Sequence, residues 1–85
     1  MNEKIDQFFR PDGSLIKIPA RSKNKVAVLN RIAGNFAPDV KYPESSLNEI
    51  ISPIHPDTAA IRRHMIEYGI LERDSSSVYW LPGKV

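Results

Sequence analysis

Residues 55–80, reading HPDTAAIRRHMIEYGILERDSSSVYW, constrain the fold of this chain more than any other stretch. Asp57 suits a helix N-cap, because its carboxylate accepts from an unpaired first-turn amide and favours the positive end of the helix dipole, worth about 1 kcal/mol. Behind it, at helical spacing, Thr58, Ile61, Met65 and Tyr68 gather on one side with Ile66 at the margin, while Ala60, Arg63, His64 and Glu67 point away. Gly69 is a natural C-terminal stop. Residues 70–74 and 78–81 then pair across Ser75-Ser76-Ser77, and Tyr79 and Trp80 alternate, so that one faces the core and the other solvent. The stretch therefore reads as helix, stop, strand, turn, strand.

The preceding residues supply what such a unit packs against. Residues 2–9 fit a short amphipathic helix with Ile5, Phe8 and Phe9 on one face, and Arg10-Pro11-Asp12-Gly13 reads as a turn. Residues 14–18 alternate as a short strand ended by Pro19. Ser22 is expected to cap a helix reaching about Phe36, with Val26, Leu29, Ile32, Ala33 and Phe36 as its apolar stripe and Pro38 beyond it. Residues 40–42 allow a very short strand. Pro43 suits the first position of another helix, whose buried face carries Leu47, Ile50, Ile51 and Ile54. In order from Ser22 this gives helix, strand, helix, helix, strand, strand. The expected class is α+β, a winged helix with an additional N-terminal helix and strand: one domain over residues 1–85, an extension at 1–21 and a core at 22–82.

At 85 residues, folding hides roughly 63% of the extended chain's surface, enough for one modest core but not for a deep substrate cavity. With no cysteine, disulfides and thiolate metal sites are excluded. The start of the chain is charged rather than secretory, and no apolar run approaches a membrane span, so a cytoplasmic protein without membrane contact is expected. The serines lie at a turn and a helix start with no nucleophile elbow, and no glycine-rich phosphate cradle is present. His55, Asp57, His64 and Glu67 do not make the dense ligand set of a closed zinc site. Neither an enzyme nor a cofactor nor a metal is expected.

The net charge of +2 argues little for nucleic acid, but its distribution says more. Lys17, Arg21, Lys23, Lys25 and Arg31 fall in a span with no acidic residue, whereas residues 41–85 hold five basic and six acidic ones. Lys17, Arg21, Lys23 and Lys25, with Arg63 and His64 on the exposed face of the last helix, are the expected nucleic-acid contacts. Against them, the amino end of that helix carries Asp57, Thr58, Ala59 and Ala60, and the turn of three serines has no cation. Arg62 falls between Met65 and Ile66 on the helical wheel, where a guanidinium needs a carboxylate; Glu44, Glu49 and Asp57 are the candidates, with an Arg62–Asp57 structural ion pair taken as the working assignment. Double-stranded DNA is the expected partner. The alternative is a protein-interaction or dimerisation module, in which an edge of the front strand pairs with a second copy.

Several residues carry a resemblance: Asp12-Gly13, Leu15, Ile18-Pro19, Leu29 through Phe36, Tyr42, Glu44, Asn48 and Ile51, then His55-x-Asp57-x-x-x-Ile61-Arg62-Arg63, Gly69-Ile70-Leu71, Arg73 and Tyr79-Trp80. In these the chain resembles a bacterial domain-of-unknown-function family, the 2087 family, found alone or attached to helix-turn-helix regulators. The resemblance covers nearly the whole chain. It implies a winged-helix-like fold and an association with transcriptional regulators, and it brings no catalytic residue or ligand. Two departures stand out: the basic run at residues 20–25 is sparser than the family's, and Pro43 takes the place of a capping hydroxyl.

Overall fold

The computed structural model describes residues 3–83; Met1, Asn2, Lys84 and Val85 of the expected domain lie outside the described residues. Its elements run α1 (Glu3–Asp6), α2 (Ser22–Ala33), β1 (Tyr42–Pro43), α3 (Glu44–Ile51), α4 (Thr58–Glu67), β2 (Glu72–Arg73) and β3 (Val78–Trp80). The strands form one antiparallel sheet in the order β1-β3-β2, with Tyr42 opposite Tyr79 and Glu72 opposite Trp80. This is a small α+β architecture compatible with a winged-helix-like arrangement. Among the described residues, no helix is long and apolar enough to cross a membrane.

The core is one cluster in which Leu29 and Ile32 of α2, Leu47 and Ile51 of α3, Ile61 and Met65 of α4, Leu71, and Tyr79 of β3 are all buried. Ile5 and Leu15 join it, so the N-terminal extension is packed into the same apolar interior. On α2 the buried face is Val28, Leu29, Ile32, Ala33, followed by Phe36. Val28, not Val26, therefore belongs to the stripe, since it lies one turn before Ile32. Ala60 is buried as well, correcting the expectation that it points away: as a small residue in the first turn of α4 it allows a close approach to the core.

Local chemistry moves several boundaries. The front strand does not form: the chain makes a single bridge, Phe9 with Leu15. The bridge's own bonds run from Ile16 N–H to the Phe8 carbonyl and from Arg10 N–H to the Ser14 carbonyl (both 2.7 Å), and no ladder extends it, because Leu15 N–H donates to the Ile54 carbonyl (2.7 Å). The helix expected at 2–9 stops at Asp6. The expected Ser22 cap is corrected to Arg21, which makes no side-chain cap bond; Ser22 is the first helical residue. The same helix ends at Ala33 with Gly34 as its cap, short of Phe36 and Pro38. Pro43 closes β1 one position ahead of α3 instead of opening the helix, and the Glu44 N–H that follows donates to the Ser77 carbonyl (3.0 Å).

Asp57 caps α4 as expected, its Oδ1 accepting from Ala60 N–H at 3.1 Å. Gly69, at φ 71°, supplies the left-handed residue that ends the helix. In the hairpin, Asp74 Oδ1 accepts from Ser76 and Val78 amides (2.8 and 3.1 Å), so the turn is organised by Asp74 as much as by the serines, with Ser77 at φ 61°.

Arg62 does not pair with Asp57. Its Nη1 lies 3.0 Å from Glu44 Oε1 and donates to the Tyr79 hydroxyl at 3.1 Å, while that hydroxyl donates to Glu44 Oε1 at 2.8 Å. The reason is geometric: five positions along a helix places Asp57 and Arg62 on different sides, and the Asp57 carboxylate is turned towards its own first turn. The closed triangle joins α3, α4 and β3, with the Arg62 side chain only 16% exposed.

Arg62→Met should lower stability by about 1–2 kcal/mol, below the value for a fully buried pair because the Glu44 side chain is 39% exposed. In a cycle with Glu44→Gln, the double variant should cost clearly less than the sum of the singles in denaturant titration; additive losses would show that the pair is not coupled. A second prediction concerns Asp12, whose carboxyl is held below the usual aspartate value, chiefly because it accepts from the Ser14 hydroxyl (2.7 Å) and then from Ser14 N–H (2.9 Å). A lowered folded value means the turn's contribution is complete above the unfolded pKa and is lost as pH falls through the folded one. A carboxyl NMR titration should therefore give a midpoint below that of a free aspartate, moving up in Ser14→Ala.

Candidate nucleic-acid interface

The expected basic residues lie along the start of α2, in the irregular segment before it and on α4. Lys17, Arg21 and Lys23 are exposed, while Lys25 is half-buried. No acidic residue occurs between Gly13 and Pro38, so the charge of this span is not offset locally. Among the described residues, none of Lys17, Arg21, Lys23, Lys25 or Arg63 makes an ion pair; the pairs formed are Arg31–Asp6, Arg62–Glu44 and His64–Glu67.

One bond relates the two helices directly. The Tyr68 hydroxyl donates to Ser22 Oγ at 3.3 Å across 46 positions of sequence. It sets the end of α4 against the start of α2, so Arg21 and Lys23, which flank Ser22, neighbour the last turn of α4. Tyr68 was expected on the core side, but it is 37% exposed because α4 ends at Glu67 and Tyr68 leaves the helix as its cap.

The two α4 candidates separate. Arg63 is exposed and points away from the core. His64 does not stand on an open face: it is half-buried, and its Nδ1 lies 3.2 Å from Glu67 Oε1 one turn on, so part of its polar capacity is already used. His64 lies one turn before Tyr68 and hence towards the α2 side, whereas Arg63 faces elsewhere on the cylinder. Lys17 belongs to the segment ahead of α2, and no hydrogen bond or ion pair ties its side chain to the other candidates.

The rest of the surface is less basic. The first turn of α4 presents Asp57 and Ala59, both exposed, and the hairpin turn presents Asp74 and the serines. Arg73 is exposed and lies over the Tyr79 ring, 5.9 Å from its centroid, which ties part of its charge to the sheet. Trp80, half-buried, donates from Nε1 to Glu72 Oε1 (3.1 Å), with Lys41 Nζ 5.1 Å from its ring centroid. Sequence alternation required one of Tyr79 and Trp80 to turn inward; the three-way bond to Arg62 and Glu44 selects Tyr79.

His55 is engaged locally, its Nδ1 accepting from Asp57 N–H at 3.1 Å. Among the described residues, no three His, Cys, Asp or Glu side chains gather as a metal-binding group. What the arrangement offers chemically is a set of uncommitted cations on an exposed surface, suited to a polyanion.

Comparison with known proteins gives one positive result: residues 14–81 match a family described as "Uncharacterized protein conserved in bacteria (DUF2087)". No curated protein and no solved structure matches the chain. The match takes in α2, α3, α4 and all three strands, together with the segment carrying Lys17. On that coverage the chain belongs to this uncharacterised bacterial family.

Proposed function

We propose that the protein is a small winged-helix DNA-binding protein acting in transcriptional regulation, holding the duplex mainly by its phosphates. The observation that carries this reading is the set of cations Lys17, Arg21, Lys23, Lys25 and Arg63, which form no ion pair among the described residues, four of them in a span free of acidic residues. The Tyr68–Ser22 bond supports it by placing two of those cations beside α4, the helix that such folds lay in the major groove. In this reading β2 and β3 form the wing, and His64 contributes less than Arg63 because Glu67 holds it. The protein acts by binding and not by catalysis, in the cytoplasm.

Phosphate contacts fix position without reading sequence, whereas bases are read by side chains on their edges. At the amino end of α4 the small side chains of Thr58 and Ala59 offer little to a guanine edge, and Asp57 repels phosphate. Binding is therefore expected to be weakly sequence-selective. A second reading, a protein-interaction module of the same shape, is favoured by one observation: the negative charge at that amino end. Pairing through a front strand is not part of it, because residues 14–18 form no strand.

Duplex DNA of random sequence, titrated at several salt concentrations, tests the first reading. If about five phosphates are met, log affinity should fall against log salt with a slope near −4.5, and each of Lys23→Ala and Arg63→Ala should reduce that slope by about 0.9. Absence of binding at low salt would leave the interaction module. Asp57→Asn supplies a sharper check, since asparagine also caps helices well. It should change stability by less than about 1 kcal/mol while strengthening DNA binding; unchanged affinity would place the amino end of α4 away from the duplex.

A further inference from the structure

An open cleft of about 780 Å³ lies away from the start of α2, bounded by the N-terminal turn, the last turn of α2 and the connection between α3 and α4. Its volume falls within the range of small-molecule sites. It is also held in shape by polar and cation–π contacts. Asp6 Oδ1 takes the Arg31 guanidinium at 2.7 Å, the Arg31 guanidinium lies 4.9 Å from the Phe9 ring centroid, and the Leu15 amide is fixed to the Ile54 carbonyl.

The apolar side chains that line the cleft and keep some exposed surface include Phe9 and Ile54, both half-buried, while Ile32 behind them is almost wholly buried. The charges at its rim are two acids and two bases, and Asp12 keeps its negative charge beside Arg10. The Asp6 carboxylate is engaged by Arg31, and Asp12 Oδ1 already accepts twice from Ser14. The carboxyl of Asp12 is held below its usual value chiefly by the Ser14 hydroxyl, with a smaller effect of the Arg10 charge, yet Arg10 makes no ion pair with it. Arg10 spends only Nη1, on Ser14 Oγ (3.2 Å) and the Leu15 carbonyl (3.3 Å). Its Nη2 and Nε donors stay available, and a guanidinium fork matches a carboxylate in geometry.

We propose that this cleft binds a small amphipathic carboxylate, its anionic head on Arg10 and an aryl or short alkyl body against Phe9 and Ile54. The site is independent of the DNA reading, because it shares none of the residues assigned to phosphate contact, and Arg21 and Gly34 stand roughly 20 Å apart along the helix axis.

Three probes of one shape separate the contributions: 3-phenylpropionate, 3-phenylpropan-1-ol and 3-phenylpropylamine, each titrated into the labelled full chain while amide shifts are followed. The carboxylate should give saturable shifts at Phe9, Ile32, Asn35 and Ile54, with affinity about tenfold above that of the alcohol, and the amine should bind more weakly still. Arg10→Gln should bring the carboxylate down to the level of the alcohol and leave the alcohol unchanged, while Arg10→Lys should retain part of the preference. Failure of all three probes to shift those amides saturably would overturn the site. An amine that binds as well as the acid, or an Arg10→Gln variant with undiminished carboxylate affinity, would overturn its assignment to an anion.

Discussion

The Tyr79 hydroxyl is the point on which the arrangement of helices and sheet depends. Its ring is buried among the apolar residues of the core, and a buried phenol needs a hydrogen-bond partner. The hydroxyl donates to Glu44 and accepts from Arg62, and those two are themselves paired. Each member thus makes the others tolerable in a poorly solvated place. Glu44 adds a further advantage: as the first residue of α3 it lies at the positive end of that helix dipole. The long apolar stem of Arg62 leaves α4 past core residues and delivers its charge to the seam. Because the three come from α3, α4 and β3, they fix how the last helix lies against the sheet. Apolar burial supplies the bulk of the stability, but it is not directional.

Much of this was legible from residue spacing. The order of elements from Ser22, the Asp57 cap, the Gly69 stop and the Leu47–Ile51 face all follow from local rules, and the structure has each of them. The need of Arg62 for a carboxylate was legible too, from its place on the helical wheel. Which carboxylate was not, since Glu44 reaches it only through tertiary packing across 18 positions of sequence. The front strand failed for the same reason: alternation at residues 14–18 is real, but alternation gives no partner, and beyond the single Phe9–Leu15 bridge the Leu15 amide went to Ile54. The exchange of Val26 for Val28 in the stripe is a phase choice between adjacent candidates on a helix with three small apolar residues in a row, Val26, Ala27 and Val28.

The candidate surface was legible in composition and less so in geometry. The acid-free basic span is visible in the sequence, and Lys17, Arg21, Lys23 and Lys25 remain without ion pairs among the described residues, while Arg31 at its end pairs with Asp6. What the sequence did not hold was the bond from Tyr68 to Ser22, which ties the start of α2 to the end of α4 beyond their shared core. Ser22 was read as a cap because a serine before a helix usually is one. Its hydroxyl serves a tertiary contact instead, and the cap position falls to Arg21, which leaves that side chain uncommitted.

The amino end of α4 sets the remaining constraint on function. An aspartate there stabilises the helix through a cap bond and through its charge beside the dipole. A serine or asparagine would give a comparable bond without the charge. The same aspartate stands where, on the proposed reading, a phosphate backbone would pass, so stability and polyanion binding pull in opposite directions at this one residue. The opposing cations sit mainly on α2 and the segment before it, a different element from the helix that carries the conflict. Nucleic-acid binding by this chain, on that reading, is an attraction centred on the start of α2 with α4 alongside. Selectivity among sequences would then come from Arg63 and from duplex shape, because no other exposed side chain of α4 has the fork geometry that reads a guanine.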